Sequence, residues 1–153
     1  AVLSGLCPKS QYPIIKQILT SVLNASVYME SFVLTALCEM GSIEEAYRRM
    51  VSRYYPLAMN ENSTLWEDFS ILGTKNHAWS GAPATIAFRY FMGIDTTDGF
   101  SHITVSPQRA LFGEMACRFY AKGGMISIQV HQDGTVTIDN QSQSECKLLI
   151  EDR

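Results

Sequence analysis

The chain has 153 residues with 46% hydrophobic and 18% charged side chains, the balance of a globular chain and not a disordered one. A net charge of −3 and a pI near 5.6 supply no basic field for a phosphate backbone, so no nucleic-acid partner is expected. No run approaches the roughly 20 apolar residues that span a bilayer, so no membrane span is expected either.

In chain order, Ile14, Ile15, Ile18, Leu19, Val22 and Leu23 recur at helical spacing behind Pro13, which suits a first turn. Ser26 can cap a second helix carrying Met29, Phe32, Val33, Ala36 and Leu37, with Gly41 as its stop. Ser42-Ile43-Glu44-Glu45 reads as a capping box opening a third helix through Arg53, ended by Tyr54-Tyr55-Pro56. Residues 57–76 read as a long polar connection, a length usually reserved for function or disorder. A fourth helix is expected from about Ser80 to Met92, with Pro83 in its first turn and Gly93 as its stop. The first, second and fourth helices are apolar over much of their circumference, which predicts burial on several sides.

After Gly93 the period becomes two. Ile103 and Val105 alternate with polar residues, as do Met115, Cys117 and Phe119. Ile126, Ile128 and Val130 face Val136 and Ile138 across Asp133-Gly134, a hairpin signal, and Cys146, Leu148 and Ile150 suggest a last strand. Helices followed by strands predict an α+β chain, with a boundary near 95–107 that divides it into 1–98 and 99–153.

Cys7, Cys38, Cys117 and Cys146 share no CxxC spacing, and no His stands at a zinc-ligand interval. No metal and no cofactor are therefore expected. Cys38 and Cys117 read as buried free thiols. Asn24, Asn62 and Asn140 begin Asn-x-Ser/Thr sequons, which matter only in a eukaryotic secretory setting. The N-terminus has neither Met nor a charged-then-apolar leader, so the chain is expected to be a stretch of a larger polypeptide.

Ser63-Thr64-Leu65-Trp66-Glu67-Asp68-Phe69 and Lys75-Asn76-His77-Ala78-Trp79-Ser80 gather both tryptophans, a carboxylate pair and an Asn-His dipeptide. Sugar-cleaving sites use these groups together: flat rings stack on a pyranose, a carboxylate activates water, and polar groups hold hydroxyls.

The order of these motifs resembles the late part of the (α/α)6 barrel of α-L-rhamnosidases, glycoside hydrolase family 78. Ser26-Val27-Tyr28-Met29-Glu30-Ser31-Phe32, Gly41-Ser42-Ile43-Glu44-Glu45-Ala46, Ala82-Pro83-Ala84, Met92-Gly93-Ile94 and Ile103 to Pro107 extend the similarity over about residues 10–135. The resemblance implies a helical segment of an (α/α)6 toroid followed by a small antiparallel β-sandwich. It implies hydrolysis of terminal α-L-rhamnosides with inversion, Glu67 as general base and His77 lining the sugar pocket. The family's general acid lies upstream of the residues matched, so the fragment alone is expected to be inactive, with apolar helix faces left exposed. Val27 replaces a common Pro, and Asn76 stands where many members carry Cys or Ser.

Trp66 and Trp79 are the stacking candidates, one of them expected to be mainly packing. Asp68 either caps a turn or holds His77 or a sugar hydroxyl. Tyr28 and Glu30 are further candidates at the start of a barrel helix. His102 and His131 read as structural, and Lys75 and Arg89 as surface or cap residues. Expected partners are a rhamnose-containing oligosaccharide or glycoside and the remainder of the parent polypeptide, a soluble bacterial-type enzyme that is secreted, periplasmic or cytoplasmic. The alternatives are an (α/α)6 glycosidase of other sugar specificity, a non-catalytic carbohydrate-binding or structural module, and an independent four-helix domain.

Overall fold

The computed structural model describes residues 1–62 and 64–149, which form five α-helices and two three-stranded sheets. The chain is mixed α+β, and the described residues close no barrel. It divides into two compact units, Ala1–Ile86 and Ala87–Arg153. The break falls inside the stretch expected as one fourth helix, and the strands begin soon after it, at Ile94.

The first unit holds α1 (Tyr12–Ser21), α2 (Val27–Glu39), α3 (Ile43–Ala58) and α4 (Ala82–Ile86). Pro13 sits in the first turn of α1, where its missing N–H costs nothing. Ser26 caps α2 by accepting from the Met29 N–H at 3.3 Å, and Gly41 ends it in the left-handed region, at φ +76°. The expected capping box does not form. Ser42 makes no side-chain cap bond, and Glu45 instead accepts from Lys16 Nζ of α1 at 2.9 Å. A cross-helix cation outbids the local backbone donor. The third helix also continues past Arg53 to Ala58, with Pro56 inside it. Leu57 and Tyr54 are both buried there, so packing outweighs the bond that proline removes.

The helices differ from the expectation of burial on several sides. α2 buries Val27, Glu30, Leu34, Ala36, Leu37 and Cys38, but α1 buries nothing, and Ile14 and Ile18 stand about half exposed. α1 is held through polar groups instead. Arg49 of α3 donates from Nε to Glu30 Oε1 at 2.5 Å and from Nη2 to Glu30 Oε2 at 2.9 Å. Its Nη1 donates to the carbonyls of Leu19 and Val22 at the C-terminal end of α1. Arg53 lies 3.3 Å from Glu30 Oε2 and donates to the carbonyls of Leu23 and Ala25, each at 2.6 Å. All three charged side chains are buried.

In place of a uniform fourth helix, residues 78–91 run as a 3₁₀ turn (Ala78–Gly81), the short α4 and a π turn (Ala87–Phe91). Gly93 stops it as expected, at φ +60°. The second unit contains β1 (Ile94–Thr97), β2 (His102–Val105), α5 (Arg109–Phe112), β3 (Met115–Ala121), β4 (Gly124–Val130), β5 (Val136–Asn140) and β6 (Glu145–Leu148). Ile150 lies outside the described residues. β3-β4-β5 is an antiparallel meander, with Ile128 opposite Cys117 and Ile138. The loop at Asp133-Gly134 is wider than a two-residue turn: the His131 N–H donates to the Thr135 carbonyl across it, and Gly134 takes φ +83°. A tight hairpin occurs instead at Lys122-Gly123, where both residues have positive φ and Ala121 pairs with Gly124.

The second sheet corrects the antiparallel expectation. β1 and β2 are antiparallel, but β6 pairs parallel to β2, placing His102 beside Glu145 and Ile103 beside Cys146. A parallel neighbour needs a long crossover, and the whole β3-β4-β5 meander supplies it. Both sheets turn apolar faces to one core of Met92, Ile94, Ile103, Val105, Ala121, Ile126, Ile128 and Val130.

Chemical denaturation of four variants tests these contacts. Removing one member of a buried, hydrogen-bonded ion pair strands the others, so Glu30→Ala and Arg49→Met should each destabilise by about 3–5 kcal/mol in chemical denaturation. Arg48→Ala, which breaks only an exposed pair with Glu44, should stay within about 0.5 kcal/mol. A Cβ on Gly93 would run into the Ser106 backbone from a left-handed conformation, so Gly93→Ala should cost more than about 1 kcal/mol.

Candidate functional site

The stretch between α3 and the 3₁₀ turn is more ordered than a polar connection. Trp66 and Lys75 form an antiparallel bridge, the Glu67 N–H donates to the Thr74 carbonyl at 3.0 Å, and the His77 N–H donates to the Leu65 carbonyl at 2.8 Å. The result is a miniature hairpin. Adjacent residues of an extended strand point to opposite faces, so burying Trp66 turns Glu67 outward. Trp66 is 5% exposed, with Lys75 Nζ 5.2 Å from its ring centroid, and its carbonyl accepts from the Ser80 hydroxyl. Together with Met50, Tyr54, Leu57 and Pro83 it lines an apolar cleft of about 390 Å³. Its indole N–H has no hydrogen-bond partner among the described residues. Trp66 is thus the more deeply buried of the two tryptophans.

The turn closes around small residues. Asp68 Oδ1 accepts from the Ser70 N–H at 2.7 Å and from its hydroxyl at 2.5 Å, which holds the carboxyl below its ordinary range. Of the roles open to Asp68, the structure gives it the turn cap. A Cβ on Gly73 would lie 2.6 Å from Asp68 Oδ2 and 3.1 Å from Glu67 Oε2, so a side chain there would displace the carboxylates from these positions. Asn76 takes φ +70°, a left-handed conformation that Asn tolerates better than most side chains.

Glu67 Oε2 accepts from the Thr74 N–H at 2.9 Å and from the Thr74 hydroxyl at 2.7 Å. These bonds, the backbone one foremost, hold the Glu67 carboxyl below its ordinary range, with His77 adding a smaller effect. Glu67 is therefore ionised at neutral pH, the state of a base. Both donors go to Oε2, which leaves Oε1 without a protein donor among the described residues. His77 Nε2 lies 2.5 Å from Thr74 Oγ1 and 4.0 Å from Glu67 Oε2. The imidazole stacks on Trp79 at 4.3 Å between centroids and 34° between planes.

Trp79 is 44% exposed and meets Tyr28 edge to face at 6.4 Å, and Tyr28 meets Phe32 at 5.6 Å. Tyr28 and Phe32 are one helical turn apart on α2 and both stand exposed. The outcome is an open aromatic patch bordered by an imidazole and an ionised carboxylate. Glu30, the other candidate on α2, does not join it, because its carboxylate is consumed by Arg49 and Arg53.

The remaining candidates lie elsewhere. His102 is exposed on β2, with Asp98 at 3.3 Å and Glu145 at 3.6 Å, and His131 contacts Thr137 Oγ1 at 2.8 Å. Arg89 lies over Tyr90. The four cysteines are free thiols, and burial, with Glu39 adding, pushes Cys38 up to about 12. Asn140 donates to the Ser144 carbonyl at 2.8 Å. No helix of the described residues is long and apolar enough to cross a membrane.

Thr74 is the residue that sequence reasoning passed over. It stands seven positions from Glu67 and three from His77, and only the hairpin brings it to both. No family model matches the chain, and no curated protein matches it.

The sign of the Glu67 shift sets a pH test. A carboxyl whose folded pKa is depressed stabilises the fold above its unfolded pKa, and that contribution disappears as pH falls through the folded value. A ¹³C carboxyl titration should place the Glu67 midpoint below that of an unperturbed Glu. With 44% of its side chain exposed, loss of its charge should loosen the 66–75 hairpin and leave global stability nearly unchanged.

Proposed function

We propose that this chain is the late part of the catalytic barrel and the terminal β-sandwich of an inverting glycoside hydrolase that releases terminal α-L-rhamnose. The observation that carries this reading is the ionised Glu67 beside His77, at the border of the exposed Tyr28–Trp79 patch. In the reading, Glu67 Oε1 takes a proton from the attacking water. His77 binds a sugar hydroxyl, and Trp79 receives the apolar face of the ring with its C6 methyl. Trp66 anchors the hairpin that presents Glu67. The general acid comes from a carboxyl outside this chain, since Asp68 is adjacent to Glu67 and bound within its own turn.

The substrate identity rests on the motif resemblance. Ionised carboxylate, imidazole and aromatic platform would serve a related inverting glycosidase of different specificity equally well. A second reading, non-catalytic sugar binding at the same patch, is favoured by one observation: Thr74 depresses the basicity of Glu67, whereas a general base works best with a pKa near the operating pH.

Hydrolysis of an aryl α-L-rhamnoside by the longest natural polypeptide containing this chain decides among them. Glu67→Gln keeps the shape and removes the base, so kcat should fall by about 10²–10⁴ with the fold intact. Near-normal kcat would displace the base from Glu67. Saturable sugar binding without turnover in the wild type would support the binding-module reading, and turnover of another glycoside alone would keep the mechanism and change the substrate.

A further inference from the structure

A threonine hydroxyl has one proton and two lone pairs. Thr74 Oγ1 stands 2.7 Å from Glu67 Oε2 and 2.5 Å from His77 Nε2, so its single proton can serve only one of them. An ionised carboxylate has no proton to give and can only accept. The Thr74 proton therefore goes to Glu67, and a lone pair of Oγ1 faces the imidazole. Nε2 must then carry the ring proton. In the neutral ring this leaves Nδ1 as an acceptor, and among the described residues no protein donor reaches it.

From this we infer that Thr74 is a positioning residue: it ties His77 to Glu67, fixes the imidazole in its Nε2–H tautomer, and so makes Nδ1 the acceptor that the site offers to a ligand. The ligand chemistry follows. Nδ1 accepts from a hydroxyl donor, such as a polyol or sugar O–H, and repels carbonyl or carboxylate oxygens, which bring only lone pairs. Trp79, stacked on the same imidazole, supplies the apolar surface beside that hydroxyl. Glu67 and His77 thereby divide the work, one holding negative charge and the other accepting a neutral hydroxyl. The assignment deepens the sugar-site reading and rests on it for the ligand, but the tautomer itself follows from the hydrogen-bond geometry alone.

The test is long-range ¹H–¹⁵N correlation of histidine-labelled full chain at a pH where the ring is neutral, with His77 assigned by loss of its signals in His77→Gln. The wild type should show the Nε2–H tautomer and a slowly exchanging Hε2 proton. Thr74→Val, which keeps the backbone N–H and removes the hydroxyl, should lose the slow Hε2 signal and shift the Glu67 carboxyl midpoint upward. Thr74→Ser should restore both. An Nδ1–H tautomer in the wild type overturns the assignment without recourse to any variant, and so does a Val variant that changes neither signal. These readouts need no turnover. Loss of rhamnoside hydrolysis as the function would leave the Thr74 result standing, and a wrong tautomer would leave the Glu67→Gln result standing.

Discussion

Glu30 and its two arginines are the contact on which the first unit depends. A helix leaves its last carbonyls without intrahelical donors, and α1 has no buried side chain to compensate. Arg49 and Arg53 reach those carbonyls and the ones that follow, at Leu19, Val22, Leu23 and Ala25, and both can be buried only because Glu30 balances their charge. Glu30 occupies the first turn of α2, where the helix dipole also favours a carboxylate. One buried acid thereby joins three helices, of which α1 has no buried side chain to hold it.

The same constraint reaches the candidate site through helical geometry. Successive residues turn by 100°, so Tyr28, two positions before the buried Glu30, stands on the far side of α2, and Phe32 lies beside it. The hairpin obeys a similar rule with a different period: Trp66 points in, so Glu67 points out. Two anchors, one ionic and one aromatic, thus set the outward direction of the groups that border the patch. This explains why Glu30 and Trp66, both plausible site residues by type and position, are buried, while their neighbours Tyr28 and Glu67 are exposed.

The second unit rests on a plainer principle. Alternation along β2 and β4 sends Ile103, Val105, Ile126, Ile128 and Val130 to one core, and the parallel β2–β6 pair returns the chain to the sheet from which it left. Gly93 is a tight point, because its backbone conformation and the nearness of Ser106 exclude a side chain.

The sequence by itself determined the α+β order, the Ser26 cap, the Gly93 stop and the Ile128–Ile138 facing pair, because each follows from residues close in the chain or from a single period. It also brought the carboxylate, the imidazole and the second tryptophan into one short stretch. Tertiary structure decided what each does. Ser42-Ile43-Glu44-Glu45 has the composition of a capping box, yet Lys16, 29 positions before Glu45, claims that carboxylate. Pro56 has the signature of a helix stop, yet buried Leu57 carries the helix past it. Trp66 and Trp79 look equivalent in sequence, yet the hairpin buries the first and the 3₁₀ turn leaves the second exposed. Thr74 carries no local signal at all: its role exists only once a turn has closed residues 67 and 74 to hydrogen-bond distance. Local patterns fix backbone preferences, whereas the pairing of polar groups distant in sequence depends on which donors the folded chain brings within reach.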